Sequence, residues 1–325
     1  MKITGISLFS GGLDSTLAVR VIQNQDIEVQ CVTFETPFFS SAKASMAAKQ
    51  IGLPLTVIDI TTDHLRMMKA PRYGFGKNMN PCIDCHALML RTAGRMMQDT
   101  GADFIFTGEV LGQRPMSQNK QSLHIVAKLS GFEDCILRPL SARLLPDTKP
   151  ELEGKVDRKL LLDIQGRGRK RQMFLADQWG IGEYPKPAGG CLLTDPNFSR
   201  RLRDLYSYYP DPGTRDIELL KHGRHFRIPG GSKIVIGRNL QDNLAIEGLS
   251  GQDDVLLFMA EYPGPSVLVP RGGDSETLNT AASLCALYSD APKDRPGKVL
   301  CKFVQTTHEM IVSAASHTDA AHWII

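Results

Sequence analysis

This sequence predicts an α/β protein with a doubly wound parallel sheet followed by a smaller α+β domain, on three observations. An apolar run at residues 3–9 enters Ser10-Gly11-Gly12, and a helical pattern starts at once after Asp14, which reads as a strand, a tight glycine turn and a helix N-terminus. Strand-like and helix-like segments then alternate through the first half, as right-handed crossovers in a parallel sheet require. From about residue 210 proline and glycine become frequent (Pro210, Pro212, Gly213, Pro229, Gly230, Gly231) and the strands become short.

Taken in order, residues 27–34 read as the second strand, 40–50 as an alanine-rich helix and 55–60 as the third strand. Residues 86–99 form a helix with Leu88, Met89, Ala93 and Met96 on its apolar side, residues 104–107 a strand, and residues 117–129 another helix. Ligands of such sheets bind at the carboxyl ends of the strands, so the glycine turn, Phe34 and Gly108-Glu109 are expected at one edge. In the second domain strands are predicted at 233–236, 255–259 and 266–269, and a helix at 276–288.

With 325 residues the chain exceeds the usual size of a single core, so two domains are expected: 1–195, with a basic connecting region at about 150–195, and 211–325. Apolar residues at 42% and charged residues at 22% describe an ordinary globular protein. The net charge is only +3, which confines any nucleic-acid footprint to a local patch. No apolar run approaches the roughly 18–20 residues that span a bilayer, and Met1-Lys2-Ile3 enters the first strand directly, so the expectation is a cytoplasmic protein without membrane attachment. Seven cysteines, an odd number, favour thiol chemistry or metal binding over a disulfide framework.

The glycine turn points backbone N–H groups and the positive end of a helix dipole at one small volume, which suits a phosphate. Ser10, Ser15 and Thr16 add hydroxyl donors, and Asp14 can hold magnesium or fix the loop. Residues 10–16 resemble the SGGxDS[ST] PP-loop of the ATP pyrophosphatases, enzymes that split ATP into AMP and pyrophosphate while adenylating an acceptor. The Walker spacing and its lysine are absent. The resemblance implies a PP-loop, HUP-like fold that binds ATP with Mg2+ through Ser10, Gly11, Gly12, Asp14, Ser15 and Thr16, with Phe34 and Gly108 packing on adenine and ribose. Gly112 to Gln118 follows the adenine-side strand, and Gln113, Arg114 and Gln118 there could contact a phosphate or the base to be modified.

The segment Asn80-Pro81-Cys82-Ile83-Asp84-Cys85-His86 carries a Cys-x-x-Cys at the opening of the long helix, where the dipole is expected to favour the Cys85 thiolate. It resembles the NPxxxCN segment of tRNA 2-thiouridylases, in which the cysteine takes part in sulfur transfer; here Cys82 stands where aspartate is common and His86 replaces the final asparagine. Cys191, in Gly189-Gly190-Cys191-Leu192-Leu193-Thr194-Asp195, is a third candidate, because the two glycines let the backbone approach another group closely and free the thiol to point at it. Some PP-loop tRNA thiolases hold a [4Fe-4S] cluster on three cysteines, and the resemblance extends that role to Cys82, Cys85 and Cys191. A Zn2+ site completed by His86, a persulfide and disulfide relay without metal, and a redox-inert set are the alternatives. Cys31, Cys135, Cys285 and Cys301 lie in apolar surroundings and read as core thiols.

Arg167, Arg169, Lys170 and Arg171 pack four cations into five residues, a run that suits a phosphodiester backbone, and Arg200, Arg201 and Arg203 follow nearby. Ile236-Gly237-Arg238-Asn239 with Asn243, Asp253-Asp254, residues 263–267, Ala281-Ala282 and Tyr288-Ser289 resemble the NFACT RNA-binding domain, which implies a phosphate contact at Arg238.

The parts imply an ATP-dependent tRNA sulfurtransferase. Asp14 and Cys85 would be its catalytic residues, tRNA its partner, and a cysteine desulfurase or inorganic sulfide its sulfur source; a homodimer is left open. Two other classes stay open: a PP-loop amide or nitrile synthase acting on a small molecule with structural zinc, and a non-catalytic RNA-binding factor switched by ATP.

Overall fold

β1 (Thr4–Leu8), β2 (Glu28–Glu35), β3 (Leu55–Asp59), β4 (Phe104–Thr107) and β5 (Ile136–Leu137) form a parallel sheet in the order β3-β2-β1-β4-β5. Around it run α1 (Leu13–Gln23), α2 (Ala42–Ile51), α3 (Thr61–Lys69), α4 (Cys82–Thr100), α5 (Lys120–Ser130), α6 (Lys149–Leu152) and α7 (Lys170–Gln178). The computed structural model describes residues 2–182, 184 and 190–325. They divide into two units, Met1–Thr194 and Asp195–Ile325.

The sheet is buried on both faces, and the period of two in β4 shows how. Phe104 and Phe106 pack with Phe9, Leu13, Leu17 and Leu137 on one side, whereas Ile105 packs with Ile6, Val32, Leu90 and Val126 on the other. The chain moves outward from β1 to β2 and β3 and then returns to the opposite side of β1 with β4. This reversal makes the β1/β4 edge the switch point, beyond whose strand ends ligands of such sheets bind.

The differences from expectation are local. α4 begins at Cys82 and not at residue 86, so both cysteines of the pair lie in its first turn. β5 has two residues, too few to show a period, and α3 buries only His64 and Met68 along its length.

In the second unit, α8 (Pro196–Tyr208) and α9 (Thr214–Leu219) precede a sheet of β6 (Arg224–Arg227), β7 (Lys233–Ile236), β8 (Val255–Met259), β9 (Val267–Val269), β10 (Gly297–Lys302) and β11 (Thr307–Val312). The order is β11-β10-β8-β9-β7-β6, and every neighbouring pair is antiparallel. α10 (Leu240–Gly248), α11 (Ser275–Leu287) and α12 (His317–Trp323) complete the unit; Ala281, Ala282 and Cys285 of α11 join Val255, Leu257 and Val299 of the sheet in one core. β11 went unseen because its residues are mostly exposed and carry little apolar alternation. No helix among the described residues is long and apolar enough to cross a membrane.

Candidate nucleotide and thiol site

Gly11 and Gly108 close the turn after β1 from two sides. Gly11 has φ +71°, and a Cβ there would stand 2.4 Å from the Lys43 carbonyl oxygen near the start of α2. A Cβ on Gly108 would lie 2.5 Å from the Ser15 backbone nitrogen, so β4 reaches the first turn of α1 only because residue 108 has no side chain. No side-chain cap covers the N-terminus of α1, which leaves its first-turn N–H groups facing the β1/β4 edge. The hydroxyls differ from expectation. Ser15 and Thr16 are buried and both donate to the Gly12 carbonyl, at 2.8 and 3.2 Å, so they stiffen the turn, while Ser10 stays exposed.

Asp14 is the centre of a network that joins three segments. Its Oδ2 accepts from Gln113 Nε2 at 2.9 Å and from Arg169 Nη2 at 3.2 Å. Residues 165–169 reach it because Leu111 and Gln165 form a parallel bridge and the Gly166 N–H donates to the Leu111 carbonyl at 2.7 Å. The expectation that Arg169 presents its charge outward to RNA is therefore corrected: it is turned in against Asp14. Arg167 and Lys170 are exposed, Arg171 pairs with Asp163, and Gln172 is fully buried with neither amide atom partnered. Asp14 Oδ1, Gln113 Oε1 and Arg169 Nε are likewise buried without a partner.

Beside this network lies a buried ion cluster that sequence reasoning missed. Glu109 accepts from Arg138 Nε at 3.0 Å and from the Thr107 hydroxyl at 3.2 Å, and its Oε1 faces His86 Nδ1 at 3.2 Å. Burial alone would raise its pKa, but the Arg138 charge and the His86 contact outweigh burial and hold the carboxyl at about 2. The available signal was a lone carboxylate directly after Gly108; its partners, 23 and 29 residues away, are invisible in local pattern.

Cys82 is the first residue of α4, and the Cys85 N–H already bonds the Pro81 carbonyl at 2.9 Å. The loop before the helix is pinned: Asp84 accepts the N–H groups of Arg72 and Tyr73 at 3.1 and 3.0 Å, and Asn80 Nδ2 reaches Cys82 Sγ at 3.2 Å. Cys191 is brought in from far along the chain by two bonds, Leu192 N–H to the Phe38 carbonyl at 2.9 Å and Asn78 Nδ2 to the Thr194 carbonyl at 2.7 Å. Gly189, on which part of the argument for a close approach rested, lies outside the described residues.

The three thiols act on one another. Burial first, then the charges of Cys191, Cys82 and Asp84, push the Cys85 thiol well above its ordinary value, and burial with Cys82 pushes Cys191 up to about 11. This overturns the expected ease of ionisation at Cys85, because a dipole confined to one turn cannot offset burial among like charges. Among the described residues no group of three or more His, Cys, Asp or Glu side chains is gathered closely enough to hold a metal ion. His86, the alternative zinc ligand, is engaged by Glu109. Cys31, Cys285 and Cys301 belong to the cores, and Cys135 packs against one.

Phe34 is only 6% exposed and packs with Val32, Ile60 and Leu90, which leaves little of its ring for a base. In the second unit Arg238 is half exposed and held by Asp242, with Nε to Oδ2 at 2.6 Å. The residues around it serve the loop: a Cβ on Gly237 would stand 1.8 Å from Asn243 Oδ1, and that oxygen accepts the Ser266 N–H at 3.1 Å.

Residues 2–143 match the family described as Thiamine biosynthesis protein (ThiI), and residues 223–324 match the NFACT protein RNA binding domain. A probable tRNA sulfurtransferase of Finegoldia magna is 28% identical over 142 residues, which are 42% of this chain and 36% of the relative. Another, from Ureaplasma urealyticum serovar 10, is 33% identical over 140 residues, 41% of this chain and 35% of the relative. The chain thus spans about a third of the length of the curated relatives it matches. A solved 4-thiouridine synthetase in complex with RNA and bound ATP aligns with a TM-score of 0.35 at 20% identity, covering 67% of this chain and 52% of that one. The chain accordingly joins a PP-loop domain of the ThiI type, carried by residues 2–143, to an NFACT-type RNA binding domain at residues 223–324.

Proposed function

We propose that this protein is an ATP-dependent tRNA sulfurtransferase. The observation that carries the reading is a complete PP-loop at the β1/β4 switch point, in a domain whose curated relatives are named as tRNA sulfurtransferases and whose fourth helix opens on two cysteines approached by a third.

ATP would lie with its phosphates at the uncapped first turn of α1, and Asp14 would hold the magnesium that accompanies it. The carbonyl oxygen of a uridine attacks the α-phosphorus; the bond to the β-phosphate oxygen breaks and pyrophosphate leaves. The O-adenylated base is the activated form, because a carbonyl oxygen by itself is a very poor leaving group. A sulfur nucleophile delivered beside Cys82, Cys85 and Cys191 then attacks the same carbon, and AMP departs with the oxygen. The fixed N–H groups of the turn supply charge stabilisation where the phosphates react.

Cys82, Cys85 and Cys191 are soft donors in mutual electrostatic reach, which is the donor chemistry of an iron–sulfur site. As placed, the three sulfurs are not gathered closely enough to hold a metal ion, so a [4Fe-4S] cluster on these cysteines is proposed only for a state in which they draw together; when bound it would supply an open iron for exogenous sulfur. Arg167, Lys170 and Arg238 are the exposed or half-exposed cations proposed to meet the tRNA backbone.

The test is incubation of anaerobically purified protein with tRNA, ATP and a sulfide source, followed by mass spectrometry of the digested tRNA. A thiolated uridine that depends on ATP, together with bound iron and sulfide lost in Cys191→Ala, is the expected result. No thiolated nucleoside with any tRNA would refute the activity; thiolation without iron would show that sulfide attacks the adenylated base directly, with no cluster.

A further inference from the structure

We infer that Arg169, which lies outside the stretch matching the ThiI family, is a polyphosphate-binding residue of the ATP site and that its pairing with Asp14 is a latch the nucleotide opens. The inference rests on the reading that ATP occupies the PP-loop.

The geometry is that of a polar pocket closed on itself and left incomplete. One oxygen, Asp14 Oδ2, receives both Gln113 Nε2 and Arg169 Nη2. The leftover atoms sit on the same three groups: Asp14 Oδ1 and Gln113 Oε1 lack donors, and Arg169 Nε lacks an acceptor, all of them shielded from water. Buried polar atoms are almost always partnered, and each one left over costs about 1–3 kcal/mol. Three in one contiguous network mark a place that a ligand completes.

The missing partners are chemically specific. A guanidinium presents its donors as a planar fork that matches phosphate oxygens, and here part of that fork is idle while part is spent on a carboxylate. Asp14 is the second residue of α1, so a polyphosphate at the helix N-terminus would arrive within reach of the Arg169 head group. It would draw the guanidinium from Asp14 and free both carboxylate oxygens. The backbone is built for this, since the Leu111–Gln165 bridge fastens the segment carrying Arg169 to the loop that carries Gln113. An arginine meant for RNA has no reason to be held inside, whereas Arg167 and Lys170, its near neighbours in sequence, remain exposed.

The test compares ATP with AMP by calorimetric titration of the full-length protein. Arg169→Ala should weaken ATP binding about tenfold or more, leave AMP binding within about twofold, and be partly restored in Arg169→Lys. Arg95→Ala, at an exposed position on α4, should change neither nucleotide. Equal losses for ATP and AMP would show a structural role only, and unchanged or tighter ATP binding in Arg169→Ala would show that the residue merely blocks the site; either result overturns the inference. Absence of ATP binding in the unaltered protein would instead refute the nucleotide reading on which it rests.

Discussion

The two units differ in one charged network that the first leaves open. In the second, carboxylates are closed by cations: Asp204 by Arg227 and Lys233 at 2.6 and 3.0 Å, Asp242 by Arg238, Asp216 by Arg271 at 2.7 Å, and Asp254 by Arg215. Three arginines there also lie on tyrosine rings, Arg227 on Tyr208, Arg271 on Tyr209 and Arg224 on Tyr288. In the first unit, beyond the ends of β1 and β4, Asp14, Gln113 and Arg169 share one bond acceptor and leave three atoms unanswered. A site that must take up a charged ligand keeps part of its bonding capacity idle in one shared network, whereas the unpartnered atoms of the second unit, Arg201 Nε and His225 Nδ1, sit on side chains that bond separate backbone carbonyls. Under the proposed function, the comparison separates a site for chemistry from a body that would position RNA.

Substitutions can break this contrast, and the largest effect belongs to its centre. Asp14→Asn should reduce tRNA-dependent pyrophosphate release by about a hundredfold or more while the thermal unfolding midpoint shifts little, since the pair it breaks already leaves two of its groups unsatisfied. Near-wild-type turnover would move the active centre elsewhere.

Next comes the closed cluster beside it. Arg138→Met strands the Glu109 carboxylate in the interior and should cost about 3–5 kcal/mol by urea titration at neutral pH. The pH dependence follows from the depressed carboxyl: its contribution is fully present above the ordinary carboxylate range and is lost as pH falls toward about 2, so Glu109→Gln should flatten the acid limb of the stability curve between those limits. An unchanged acid limb would remove Glu109 from the list of stabilising groups.

Gly108→Ala probes the approach of the β4 end to the first turn of α1. The added Cβ meets backbone and not a movable side chain, so the turn must shift; a cost of about 1–3 kcal/mol and a measurable loss of ATP binding are expected. Wild-type ATP affinity would show that the crevice tolerates the shift.

The smallest effect is expected in the second unit. Arg238→Ala removes a cation that already has a carboxylate partner, so RNA affinity measured by filter binding should fall modestly and the salt slope should decrease by about one. ATP affinity should not change. An equal loss for ATP would blur the division of labour between the two units.

What could be read in advance follows the same division. Residues 3–16 carry a strand, its turn and a helix start in contiguous sequence, and β4 with Gly108 shows itself by four buried residues and a glycine. Both elements are local, and so both were legible. Arg169 was misread because four cations in five residues look like a solvated run, while its partner is 155 residues away and brought near by a single parallel bridge. Cys85 was misread for a related reason: the helix start was visible and Cys191 was expected beside it, but the burial that raises its pKa was not. Phe34 shows the limit of position alone, since a residue at a strand's end can face the core as readily as the crevice.

The central claim is that ATP is split between its α- and β-phosphates to activate a tRNA uridine, and identifying the products of radiolabelled ATP in the presence of tRNA and sulfide tests it most directly. The account predicts AMP and pyrophosphate in equal amounts, formed with tRNA and lost in Asp14→Asn. ADP and orthophosphate as the main products would contradict it.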